Sequence, residues 1–197
     1  RYDNVTLTPK PYQQPHPPIR VAAVTPDTFP MLGTQGYPIF AAVRQGTLSE
    51  LGPDLACYRA AFRAAGHEGN GGVYLRIPIY VAETVERAVA EPEQSIMQFY
   101  REMGAQLLES ATESGARASD QRAERGQALA NLSYAQARRE KVIVGTPDMV
   151  TQRLREVREE LGIQGILAEL NCGRQIPHER VMRSLHLLCH DVMPHFK

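Results

Sequence analysis

Two threonines three residues apart, Thr25 and Thr28, bracket Pro26 at the end of a short apolar run, Ile19-Arg20-Val21-Ala22-Ala23-Val24. The run reads as a buried strand that delivers its end to a helix N-terminus. Pro26 suits the first helical position, where its missing N–H costs nothing, and Thr25 suits the N-cap before it. A helix N-terminus carries unpaired N–H groups and the positive end of the helix dipole, so it favours an anion such as phosphate, and two hydroxyls on one side add donors. Most strand-to-helix turns that carry Ser or Thr are caps without a ligand, so the spacing alone does not assign one.

His186, Cys189 and His190 fall at i, i+3 and i+4 of a terminal helical pattern, a nitrogen and sulfur set that zinc favours. No fourth ligand stands at a suitable spacing, so these residues read as the wet edge of an amphipathic helix and no metal is expected. Arg76 stands alone within an apolar strand pattern, either turned inward with a function or placed at a rim. The chain has no G-x-S-x-G, no G-x-x-x-x-G-K-[ST] and no G-x-G-x-x-G, which leaves a nucleophile elbow and the common nucleotide loops without support.

Elements must position these residues. The prolines of residues 9–18 forbid a regular helix there and indicate an extended connection. Strands are expected over 19–24, 37–43, 73–81 and 163–170, and helices over 26–35, around Leu55 to Ala65, over 93–109, from Pro147 to Leu161, and from Pro177. Thr146, Pro147 and Gly162 supply the cap, first residue and stop of the fourth of these helices. Residues 110–140 are rich in Ala, Ser, Arg, Glu and Gln and read as a polar helix or a mobile excursion. Alternation of strand and helix argues for parallel βα units.

Composition narrows the class. Lys plus Arg and Asp plus Glu number 22 each, so no net field favours nucleic acid or an acidic membrane surface. No apolar run approaches the roughly 20 residues of a membrane span, and a cytoplasmic location is the default expectation. Three cysteines, Cys57, Cys172 and Cys189, suggest reduced thiols.

The ordered set L-x-P-K-P-x-Q-x-P-H-P-P-I from Leu7 to Ile19, T-P-x-T at Thr25 to Thr28, Gly36-Tyr37-Pro38, Tyr80-Val81-Ala82-Glu83-Thr84, Val144-Gly145-Thr146-Pro147, Asn171-Cys172-Gly173 and Asp191-Val192-Met193-Pro194-His195-Phe196 resembles the bacterial luciferase-like flavin monooxygenases. The resemblance implies a (β/α)8 TIM barrel of which this chain carries about the C-terminal half, strands five to eight, since a whole barrel takes about 250 residues. It implies an enzyme that uses reduced FMN, supplied by a separate flavin reductase, and oxygen to oxygenate a small organic substrate, with a homodimer formed through the missing half. Thr25 and Thr28 match the family's phosphate-binding hydroxyls, and Ala22 and Val24 match positions that line the flavin. The family often carries a carboxylate where Val24 stands, which leaves only a backbone contact there. Residues 110–140 fall where the family has a loop that closes over the flavin. Cys172 then falls on the C-terminal face, where a pocket-lining role is expected, and no catalytic residue is assigned. The other readings are a non-catalytic half-barrel that binds or pairs through its open sheet edges, and a deazaflavin-dependent oxidoreductase that transfers hydride.

Overall fold

The computed structural model describes residues 3, 5, 6, 8–43, 46–112 and 119–196. Its order is β1 (Val21–Ala23), α1 (Thr28–Gln35), β2 (Ile39–Ala42), α2 (Leu51–Ala64), β3 (Val73–Val81), α3 (Val85–Ala90), α4 (Glu93–Ala111), α5 (Ser119–Ala130), α6 (Tyr134–Glu140), β4 (Ile143–Gly145), α7 (Pro147–Leu161), β5 (Gly165–Glu169) and α8 (His178–Leu187), followed by a π turn and a 3-10 turn. All pairings are parallel, in the order β1-β2-β3, with β3 pairing β5 through Tyr74–Pro78 and β4 through Ile79–Val81. The fold class is therefore α/β, as the alternation of patterns predicts.

Alternation along β3 explains its two faces. Val73, Leu75, Ile77 and Ile79 are almost fully buried and pack with Phe29 and Leu32 of α1, Leu55 and Tyr58 of α2, and Val150, Leu154 and Val157 of α7. Tyr74 and Arg76 point to the other face, which the described residues leave partly open. A second core forms from Ile96, Tyr100 and Leu107 of α4 with Leu129 of α5 and Ala137 of α6. Here α4 and α5 approach through Gly104 and Gly126, where an added Cβ on either would come within 3.1 Å of the other's carbonyl oxygen. The polar stretch thus folds as helices over 119–130 and 134–140, while 113–118 lie outside the described residues. Ser133 and Gln136 form a capping box that starts α6.

The expected start of α1 needs correction. Thr25 is not its N-cap: the helix begins at Thr28, after Asp27, and Thr28 and Phe29 donate to the carbonyls of Thr25 and Pro26 in turn geometry. Pro30 is the cause, because a helix beginning at Pro26 needs an N–H on residue 30 to reach the Pro26 carbonyl, and proline has none. The terminal helix packs on β3: Ser184 Oγ, fully buried, accepts from the Val81 N–H at 2.8 Å. Two short elements, α3 and β4, have no expected counterpart.

Near the end of β3, Tyr80 Oη donates to Glu91 Oε2 at 2.5 Å and Arg87 Nε to Glu91 Oε1 at 3.0 Å. Burial alone would raise the Glu91 carboxyl, but these donors hold it below its ordinary value. Its contribution to stability is therefore present above the unfolded carboxylate pKa and lost as pH falls through the lower folded value. Glu91→Gln is expected to shallow the acid-side decline of stability in urea titrations run from pH 6 downward, and an unchanged slope would refute this role. Gly33 faces the Tyr58 carbonyl so closely that a Cβ would lie 2.3 Å from that oxygen. Gly33→Ala is expected to lower the unfolding free energy by about 2–3 kcal/mol, read from denaturant titration.

Candidate functional site

β1 ends at Ala23, and Val24 and Thr25 follow it into solvent. Thr25 Oγ1 and Thr28 Oγ1 lie 2.6 Å apart. The pair shares one proton and leaves the other hydroxyl proton free to point outward. The N–H groups of Thr28 and Phe29 are engaged by the turn, and Pro26 and Pro30 have none, so an anion here is met by hydroxyls rather than by a ring of main-chain donors. That donor set fits a phosphate through side chains, and the exposed carboxylate of Asp27 between the two threonines opposes it. Ala22 is exposed on the sheet face opposite buried Ala23. The structure thus brings Ala22, Val24, Thr25 and Thr28 to one strand end.

Beside them opens a cavity of about 270 Å³ whose wall includes Val24, Pro26, Ala42, Glu50, Asp54 and Arg125. Burial raises the Asp54 carboxyl, and Arg125 opposes that rise. Under the cavity floor, Lys141 Nζ donates to the Gly46 carbonyl, and burial draws its ammonium below the ordinary lysine value while Glu50 and Glu140 pull it back. Sequence reasoning missed Glu50, Asp54, Arg125 and Lys141. Their sequence signal is only that of charged positions in or beside helical patterns, and tertiary packing of α2, α5 and the end of α6 brings them here.

The open sheet face carries a row of paired positions, Ala22 beside Phe40 beside Tyr74 beside Gly165, and the next row holds Ala42, Arg76 and Leu167. Arg20 stacks on Tyr74 at 4.2 Å and donates to its hydroxyl at 3.1 Å. Arg76 is turned onto this face rather than set at a rim, and its Nη2 is paired with Glu169 Oε1.

After β5, Asn171, Cys172 and Gly173 form a turn tied to α4. Ser95 Oγ donates to Asn171 Oδ1 at 3.0 Å and accepts from the Gly173 N–H at 3.1 Å. An added Cβ on Gly173 would meet the Ser95 carbonyl oxygen at 1.8 Å, so the close approach requires glycine. Cys172 packs against the α4 core and, among the described residues, borders a void of only about 10 Å³. Burial, with the charge of Glu169, pushes its thiol up to about 12. His186 and His190 stack at 4.2 Å, and among the described residues no group of three or more His, Cys, Asp or Glu side chains is placed to hold a metal ion.

Cys57 and Cys189 are exposed, whereas Cys172 is half-buried and held as the thiol at neutral pH. Iodoacetamide at pH 8 is expected to alkylate Cys57 and Cys189 first and Cys172 only after urea unfolding, as followed by peptide mapping. Labelling of Cys172 at the rate of Cys57 would contradict its placement.

A family model described as luciferase-like monooxygenase matches residues 1–165. No curated protein matches the chain. Among solved structures, the chain is similar to monooxygenase RslO1 from Streptomyces bottropensis, with 24% identity, a TM-score of 0.67, and 98% of this chain and 52% of that one covered. It is also similar to the oxygenating constituent of 3,6-diketocamphane monooxygenase from Pseudomonas putida in complex with FMN, with 18% identity, a TM-score of 0.64 and coverage of 92% and 50%. A third similar structure is the coenzyme F420 dependent tetrahydromethanopterin reductase from Methanopyrus kandleri, with 16% identity, a TM-score of 0.61 and coverage of 91% and 51%. The chain spans about half the length of these structures, with which it shares the fold. The chain belongs to the luciferase-like monooxygenase family.

Proposed function

We propose that this chain forms the C-terminal half of a (β/α)8 barrel, with β1, β2, β3 and β5 as strands five to eight, in an FMN-dependent monooxygenase. The observation that carries the reading is the family match over residues 1–165, made specific by the hydroxyl pair of Thr25 and Thr28 at the C-terminal end of β1. Barrel enzymes place their chemistry at that end of the strands. Similarity to an FMN-bound monooxygenase and to a reductase dependent on coenzyme F420 supports flavin-type redox chemistry, and the side-chain donors at the turn favour the FMN phosphate.

In this reading the Thr25–Thr28 pair donates its outward hydroxyl proton to the phosphate, while Ala22 leaves room for the ring and Val24 borders it with its backbone. The chemistry supplied there is delivery of two electrons from reduced flavin to oxygen, with one oxygen atom passing to an organic substrate and the other leaving as water. The residues of this chain bind, orient and exclude water. Arg125 of α5 reaches the cavity beside Val24, which supports a covering role for the helices of the 110–140 region. Reduced flavin comes from a separate reductase, and the whole protein pairs as a homodimer. Among the described residues no helix is long and apolar enough to cross a membrane.

A second reading is a pairing module. It is favoured by the outer edge of β5, which pairs with no strand among the described residues, and by an apolar groove of about 470 Å³ lined by Leu154, Ile163, Ile166, Leu188, Val192 and Phe196.

In the intact protein, replacing Thr25 and Thr28 by Val is expected to weaken FMN binding by about 1–3 kcal/mol, the scale of hydrogen bonds to a charged group, which is about 5- to 150-fold in Kd. Quenching of FMN fluorescence measures it. Unchanged affinity would sink the phosphate assignment, and a protein that binds no flavin while associating through its sheet edges would favour the pairing module.

A further inference from the structure

Arg76 is a charged group that the fold does not fully use. It alternates with buried Leu75 and Ile77 on β3 and so faces the open side of the sheet, with about a third of its side chain exposed. Of five guanidinium donors, the structure pairs Nη2 with Glu169, and Nε is buried without a partner. An unpaired buried donor is costly, and a structure that tolerates one merits a reason. Its register neighbour on β2 is the small residue Ala42, which borders the cavity that opens beside Val24. Arg76 therefore stands one strand away from the cavity, on the face of the sheet that carries Ala22.

The charge of Arg76 is cancelled. Glu169, its own side chain only 13% exposed, supplies a full negative charge against the guanidinium. A neutralised arginine still donates hydrogen bonds but has little net attraction for a second anion, so it discriminates in favour of an uncharged acceptor. We propose that Arg76 is a specificity-determining donor to a carbonyl oxygen of the molecule lying on this sheet face, with Glu169 as its positioning and charge-cancelling partner. The inference rests on the flavin monooxygenase reading. The carbonyl belongs either to the flavin ring or to the organic substrate.

The test titrates FMN into the intact protein and its Arg76→Lys variant, and then cyclohexanone and cyclohexanecarboxylate into the FMN-loaded proteins, read by saturation-transfer NMR. Lysine keeps the ion pair and loses the fork of donors. One of two ligands is expected to weaken by about five-fold or more, the scale of a single hydrogen bond. If FMN weakens, the carbonyl is the flavin's; if cyclohexanone weakens with FMN unchanged, it is the substrate's. Glu169→Gln uncovers the positive charge and is expected to swing preference from the ketone towards the carboxylate. FMN and cyclohexanone both within about two-fold of the parent in Arg76→Lys overturn the assignment, as does an unchanged preference in Glu169→Gln where cyclohexanone is the ligand that weakens. A doubly substituted protein, Arg76→Met with Glu169→Met, guards against misfolding, because an apolar pair replaces a partly buried ion pair with little loss of stability. It is expected to melt with the parent and to show the same loss of ligand, and parental affinity in it overturns the proposal. A parent that takes up no FMN refutes the flavin reading instead, a result separate from the others.

Discussion

The sheet is registered on β3, which makes three of the four strand pairings among the described residues. The nine residues of β3 pair β2 over Val73–Arg76, β5 over Tyr74–Pro78 and β4 over Ile79–Val81. Pro78 has no N–H to give to a ladder, and it sits at the handover from one partner to the next, where a missing donor costs least. Because the side-chain period of a strand is two, this single register decides that Leu75 and Ile77 enter the core while Tyr74 and Arg76 face the site. A slip of one residue would bury the arginine and expose the leucine.

Around that frame, long-range polar contacts fix what the sheet alone leaves loose. Arg59 of α2 donates to the carbonyls of Leu161 at 2.6 Å and Gly162 at 3.0 Å, closing the C-terminus of α7 against the helix beside it. Lys141 closes the loop at Gly46, and Ser95 closes the turn after β5. Each contact satisfies a backbone group near the C-terminal ends of the strands or the helices that flank them. The end of the sheet that carries the candidate site is thus held by groups drawn from α4 and the segment before β4, and Arg59 of α2 holds the opposite end. Positioning of the site is a property of the whole chain rather than of the Thr25 turn.

Much of this frame was legible in the sequence. β3 and α7 match their expected bounds because a long apolar alternation and a complete set of cap, first-turn proline and αL glycine leave little freedom to either. The hydroxyl pair was legible as a pair, but not its geometry, since the effect of Pro30 on the first turn of α1 acts four residues away from the carbonyl it deprives. α3 and β4 are too short for periodicity to declare them. The cavity beside Val24 was hidden for a different reason: Glu50, Asp54 and Arg125 look like solvated helix positions in isolation, and only the packing of α5 on α4 through Gly104 and Gly126 carries Arg125 to the strand ends. The role of Arg76 was open because a lone arginine in a strand pattern declares its face only once its neighbours' register is known.

The central claim is that ligand binding is concentrated at the C-terminal ends of β1 and β2. Hydrogen–deuterium exchange of the intact protein with and without FMN tests it most directly. The account predicts slowed exchange in the turn from Val24 to Phe29 and along the cavity wall from Gly46 to Asp54, with the groove between α7 and α8 unaffected. Protection confined to that groove, or spread evenly with no change at the Thr25 turn, would contradict it.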